Sequence, residues 1–133
     1  MIDLINTSNK FDISFQGQKS NGYKLSIQGK DINDIIFLCN KLNKYLIFNN
    51  ISFKFATIKR LLHTNNIQNK KIFTIYIPNN INHLEFSEII YSKIVNYKWW
   101  YNIKTPIKYT HYAGGVFFRN DLDIYGNYIP ANI

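Results

Sequence analysis

A lysine stands in the middle of the apolar run Ile51-Ser52-Phe53-Lys54-Phe55-Ala56. Such a run is β-prone, and strand alternation puts Ile51, Phe53 and Phe55 on one face and Ser52 and Lys54 on the other. A lysine between two phenylalanines either reaches solvent from an edge strand or points into a polar cleft. Lys24 repeats the pattern: in Gly22–Gln28, Tyr23, Leu25 and Ile27 alternate with Lys24, Ser26 and Gln28. If these strands are neighbours in register, the two lysines converge on one polar groove. Like charges and apolar flanks both lower a lysine's pKa, which makes one amine available as a base. Arg60, Lys71 and His111 could then hold an oxyanion or a phosphate.

Other chemistries lack their residues. His63, His83 and His111 are too far apart in sequence to read as a metal-ligand pair. Gly114-Gly115 is too small for a nucleotide-binding glycine loop, and no serine sits in a nucleophile elbow. The acidic residues lie mostly at helix caps and in the tail, which argues against a carboxylate-based hydrolase. Cys39 is the sole cysteine, so there is no intrachain disulfide and no thiolate metal cluster. Its helical spacing with Ile35 and Ile36 marks it as a core thiol. No metal and no cofactor are expected.

Several elements must position these groups. The lead, residues 1–10, is polar and weakly patterned and is expected to be loosely ordered. Phe11–Gln16 alternates as a strand and could form a hairpin with Gly22–Gln28. Asp31 caps a helix whose stripe Ile32, Ile35, Ile36, Cys39, Leu42 and Leu46 runs to about Phe48, where Asn49-Asn50 ends it. After the Lys54 strand, Thr57 caps a short helix, Ile58–His63, followed by a polar loop, Asn65–Lys70. Lys71–Ile77 is a strand stopped by Pro78. A second helix spans His83 to Tyr97, with Phe86, Ile89, Ile90 and Ile94 buried; Tyr97 and Trp99-Trp100-Tyr101 form an aromatic cluster at its end. Ile107–Tyr112 alternates as a strand, Ala113-Gly114-Gly115 turns, and Val116-Phe117-Phe118 is a final short strand before an irregular tail, 119–133. This order predicts a single α+β domain over 1–133, with two main helices covering one face of a mainly antiparallel sheet.

Composition narrows the partners. Of 133 residues 46% are hydrophobic, with ten Tyr, ten Phe and two Trp, which excludes a disordered chain. No run approaches the roughly 20 apolar residues of a membrane span, and the N-terminus lacks a secretory signal. A cytoplasmic protein without membrane contact is expected. The net charge of +8 favours anionic partners. Arginine occurs only as Arg60 and Arg119, too few for a base-reading protein, so nucleic acid is not the expected partner.

Five segments occur in an order and spacing that resemble a known family: Gly22–Gly29, the helix after it, Asn50–Phe55 followed by Ile58–Leu62, Lys71–Tyr76, and His111–Gly115. Together they look like the N-terminal lyase domain of class III lanthipeptide synthetases, which is related to the phosphothreonine lyases of bacterial pathogens. The resemblance covers about residues 22–118. It implies that phosphate is eliminated from phosphoserine or phosphothreonine to leave a dehydroamino acid, without water or metal. It implies Lys54 as general base, Lys24 as the first-strand lysine, and Arg60 and Lys71 as phosphate contacts. It implies a phosphorylated precursor peptide with a leader as substrate, and kinase and cyclase domains in cis or in trans as partners. Two positions depart from the pattern. Ser26 stands where the family has the histidine that protonates the leaving phosphate. The segment Thr110-His111-Tyr112-Ala113 stands where the family has tyrosine-arginine-tyrosine-glycine, which makes His111 a replacement acid or phosphate contact beside Tyr112. The sequence thus leaves three readings: a phosphate-eliminating lyase, a catalytically reduced lyase fold that binds phosphopeptide or leader peptide, and a basic nucleic-acid-binding module.

Overall fold

The computed structural model describes residues 2–63, 71–96 and 105–130. Among these, six strands form one antiparallel sheet: β1 (Asp12–Phe15), β2 (Ser20–Gln28), β3 (Phe53–Ala56), β4 (Lys71–Pro78), β5 (Thr110–Ala113) and β6 (Val116–Asn120), in the order β1-β3-β4-β2-β6-β5. The helices are α1 (Ile2–Thr7), α2 (Ile32–Phe48), α3 (Ile58–His63) and α4 (His83–Ile94). Helix α2 lies over β3 and β4, α4 over β5 and β6, and the two pack on each other. The expected α+β architecture, two main helices on one face of an antiparallel sheet, is what the chain adopts.

The covered face is the core. Leu25, Ile27, Phe53, Phe55, Phe73, Ile75 and Val116 meet Ile35, Leu38, Leu42, Phe86, Ile90 and Ile94 from the helices. Phe73 stacks on Phe53 at 5.6 Å and on Phe55 at 6.0 Å between ring centroids. The long helix forms where its signals lie. The Asp31 side chain accepts from the Asn33 and Asp34 amides, Cys39 is buried in the stripe, and Asn50 takes the left-handed conformation at φ 55°. Burial pushes the Cys39 thiol up to about 12, which leaves it inert.

Four expectations are corrected or extended. First, β1 does not form a hairpin with β2; it pairs with β3, Ser14 opposite Lys54. The connection runs instead along the end of α2 and the start of β3. The Gly17 amide donates to Ser52 Oγ (2.7 Å) and the Gln18 amide to the Asn50 carbonyl (2.8 Å). A Cβ at Gly17 would lie 2.4 Å from that carbonyl oxygen, so the crossing needs glycine. Second, the lead contains α1, whose Ile5 is fully buried. Third, Thr57 stands at the start of α3, its carbonyl accepting from the Leu61 amide (3.2 Å), but its hydroxyl, shared between the Lys10 and Phe11 carbonyls (2.6 and 3.1 Å), also ties the lead to the sheet. Fourth, the strand expected at Ile107–Tyr112 begins only at Thr110, because Pro106–Tyr109 forms a turn with Lys108 at φ 69°. Residues 119–130 are also more ordered than expected. Arg119 and Asn120 belong to β6, and Leu122 bridges to Tyr128. The loop Asn65–Lys70 and the cluster Tyr97, Trp99-Trp100-Tyr101 lie outside the described residues.

Candidate functional site

The face of the sheet away from the two main helices carries the charges. Lys54, Thr74, Ser26 and Phe117 form one row across β3, β4, β2 and β6; Tyr76, Lys24 and Arg119 form the next. Lys24 and Lys54 therefore share a face, but their strands are not neighbours, since β4 lies between them. Lys71 joins them through an irregularity. Strict alternation would place it with Phe73 and Ile75 in the core. A register shift between Ile27 and Gln28 sets it opposite Gln28 instead, and its ammonium lies 5.3 Å from the centroid of the Tyr109 ring. Arg60 reaches the same face from α3 and bonds Asp12 on β1 at 3.2 Å.

Four cations, Lys54, Arg60, Lys24 and Arg119, meet two carboxylates. Asp12 lies 3.2 Å from Arg60 and 3.9 Å from Lys54. Asp121 lies 3.3 Å from Lys24 and 3.0 Å from Arg119. The Arg119 side chain is only 1% exposed. It is held between the Tyr109 and Tyr128 rings and donates through Nη2 to the Ile129 carbonyl. Its approach to Asp121 is a charge contact that falls short of hydrogen-bond geometry, so its Nε and Nη1 keep donor capacity. Sealed between those rings, Arg119 acts on the site through its charge and through its pairing with Asp121.

The excess of positive charge acts on the lysines. Burial, and then the charges of Lys24, Arg60, Arg119 and Lys54, bring Lys71 down to about 8 from the ordinary 10.5. Lys24 is also lowered, by burial, against the opposing pull of Asp121. Lys54 borders a cleft of about 420 Å³ lined by Ser14, Gln16, Lys19, Ser52 and Tyr76 among others.

Not every expected residue joins the cluster. Ser26 faces the site but is fully buried, and its hydroxyl donates to the Tyr109 hydroxyl at 3.2 Å. His111 lies at the margin, opposite Phe117 on the edge strand β5. Its Nε2 is 2.7 Å from the Gly114 carbonyl, and since a carbonyl only accepts, that nitrogen carries the hydrogen. Tyr112 points to the other face, where its hydroxyl bonds Glu88 on α4. The structure instead brings in Arg119, Asp121, Asp12 and Tyr109. Asp12 shares the polar face of its strand with Ser14, and Tyr109 shares parity with His111, so alternation held a signal for both. Asp121 follows Arg119 in a segment that reads as irregular tail, with no pattern to mark it.

Among the described residues no group of three His, Cys, Asp or Glu could hold a metal ion, and no helix is long and apolar enough to cross a membrane. No family model matches the chain, and no curated protein does. Solved structures do. The chain is similar to the type III effector and phosphothreonine lyase OspF from Shigella flexneri at 16% identity and a TM-score of 0.61, over 91% of this chain and 70% of that one. It is also similar to a phosphothreonine lyase structure at 16% identity and a TM-score of 0.57, over 88% of this chain and 63% of that one. The likeness is one of fold: this chain folds as the phosphothreonine lyases do.

Proposed function

We propose that the cationic face eliminates phosphate from phosphothreonine or phosphoserine in a peptide. The observation that carries the reading is the convergence of Lys24, Lys54, Arg60, Lys71 and Arg119 on the sheet face away from the main helices, with Asp12 pairing Arg60 and Lys54 and Asp121 pairing Lys24 and Arg119. A phosphate dianion entering there meets the field of these cations, with the Lys54 ammonium the most exposed of the paired ones at 35%. Lys54, beside the polar cleft, is the base that takes the Cα proton. The fold it shares with phosphothreonine lyases supports this assignment. The ordered motifs of residues 22–118 support a more specific substrate: a cytoplasmic precursor peptide with a leader, phosphorylated by a kinase domain and passed to a cyclase, in cis or in trans.

A second reading, a reduced lyase fold that binds phosphopeptide without turnover, is favoured by one observation: Ser26 is sealed beneath Tyr109. Incubation with a phosphothreonine peptide, with its phosphoserine counterpart in parallel, separates the two. Release of inorganic phosphate supports elimination, saturable binding without release supports the reduced fold, and absence of both rejects each.

The packing also predicts how a repair would fail. Ser26→His drives an imidazole into space already filled by Tyr109. It is expected to destabilise the fold by about 1–3 kcal/mol, as overpacking does, with no gain in phosphate release. Urea unfolding and the phosphate assay check this together; a stable Ser26→His variant with raised turnover would show that the site has room for the ring.

A further inference from the structure

Elimination needs a proton on the leaving side, because a phosphate ester that departs without one departs as a trianion. A positioned acid contributes about 10²–10⁴-fold. Ser26 is buried against Tyr109, and the protonated nitrogen of His111 is committed to Gly114 at the margin of the face. Lys71 is differently placed. The register shift turns it out of the core and sets its ammonium over the ring that covers Ser26. Irregularities of this kind re-aim single side chains. It stands at the β2 side of β4, whereas Lys54 stands on β3 at the other. From this placement we propose that Lys71 is the proton donor to the leaving phosphate, taking the role that Ser26 cannot fill. The inference rests on the lyase reading above.

The step balances. The Lys54 ammonium, paired with Asp12 at rest, first gives a proton to water, and the amine so formed takes the Cα proton. The C–H electron pair becomes the Cα–Cβ double bond, and the Cβ–O bond breaks with its pair on the bridging oxygen. The Lys71 ammonium gives its proton to that oxygen. The products are a dehydroamino acid, hydrogen phosphate, Lys54 back in its protonated resting form and neutral Lys71; a proton from water restores Lys71. The charged and titratable groups around Lys71 are Lys24 on β2, Lys54 on β3, Arg60 on α3, Arg119 on β6 and Tyr109 before β5. Asp12 and Asp121 are each held by two of those cations. With a pKa of about 8, Lys71 is protonated at neutral pH yet a stronger acid than an ordinary lysine, whereas burial pushes Tyr109 up to about 12.

Lys71→Arg tests the assignment, since a guanidinium keeps the charge but does not release a proton in the working range. Turnover of a phosphothreonine peptide is expected to fall roughly 10²-fold with affinity retained. Lys71→Cys should lose turnover and regain it after aminoethylation, which rebuilds an amine at that position; buried Cys39, its thiol at about 12, escapes the reagent. If the wild type eliminates phosphate and Lys71→Arg matches its turnover, Lys71 is not the donor and the lyase reading stands. If Tyr109→Phe loses turnover with affinity retained while Lys71→Arg does not, the role passes to Tyr109 and the proposal is overturned. A wild type that binds the phosphopeptide but releases no phosphate at any pH overturns both.

Discussion

Lys54→Arg is expected to slow phosphate elimination from a phosphothreonine peptide about 10²–10⁴-fold while leaving the peptide bound as tightly. The substitution separates the two roles a lysine can have on this face. Arginine stays protonated at any working pH, so the charge that Lys54 presents to Asp12 and to an incoming phosphate remains. Only the capacity to accept the Cα proton is lost. Lys54→Ala also removes one of the five cations and should weaken binding as well as turnover. Paired measurements of phosphopeptide affinity and phosphate release distinguish these effects. Near-normal turnover in Lys54→Arg would assign the base elsewhere, and loss of affinity alone would reduce Lys54 to a phosphate contact.

Asp121→Ala is expected to cost about 3–5 kcal/mol of folding stability, because it leaves a buried charge without its partner. Arg119 is 1% exposed and meets Asp121 at 3.0 Å; the same carboxylate holds Lys24 at 3.3 Å. The backbone of Asp121 also anchors the final segment, through its amide to Gly22 and its carbonyl from Ile129. Those backbone bonds survive the substitution, so the loss reports on the carboxylate. Urea unfolding measures it. The double variant Asp121→Ala, Arg119→Met should recover much of the loss, since the stranded guanidinium is then gone. A single variant within about 0.5 kcal/mol of the wild type, as at an ordinary surface site, would mean that solvent already screens the pair.

The contrast between Lys54 and Asp121 shows what the sequence made legible. Lys54, Lys24 and Arg60 were readable because they sit in or beside short apolar runs where alternation or a following helix fixes their direction. Helix α2 was readable at both ends because Asp31 caps it and Asn49-Asn50 stops it. Strand order was not readable. Alternation assigns a face to each residue but not a neighbour to each strand, and the crossing at Gly17 that sends β1 to β3 depends on a backbone approach of 2.4 Å. Lys71 stands out in the sequence by its charge, but its direction comes from a register shift that no local pattern announces. Tyr112 is the opposite case. Alternation with His111 would have sent it to the helix-covered face, where it bonds Glu88. Arg119 and Asp121 were missed because their partners come from β2 and from Ile129, contacts that exist only once the sheet has closed.

The central claim is that this face removes phosphate by elimination. Its most direct test is the mass of a phosphothreonine peptide, deuterated at the α-carbon of that residue, after incubation with the protein. Elimination predicts a product that has lost the elements of singly deuterated phosphoric acid, its deuterium being the one from the α-carbon, leaving a dehydroamino acid. A peptide unchanged at high protein concentration, or a threonine product that keeps its deuterium, would contradict it.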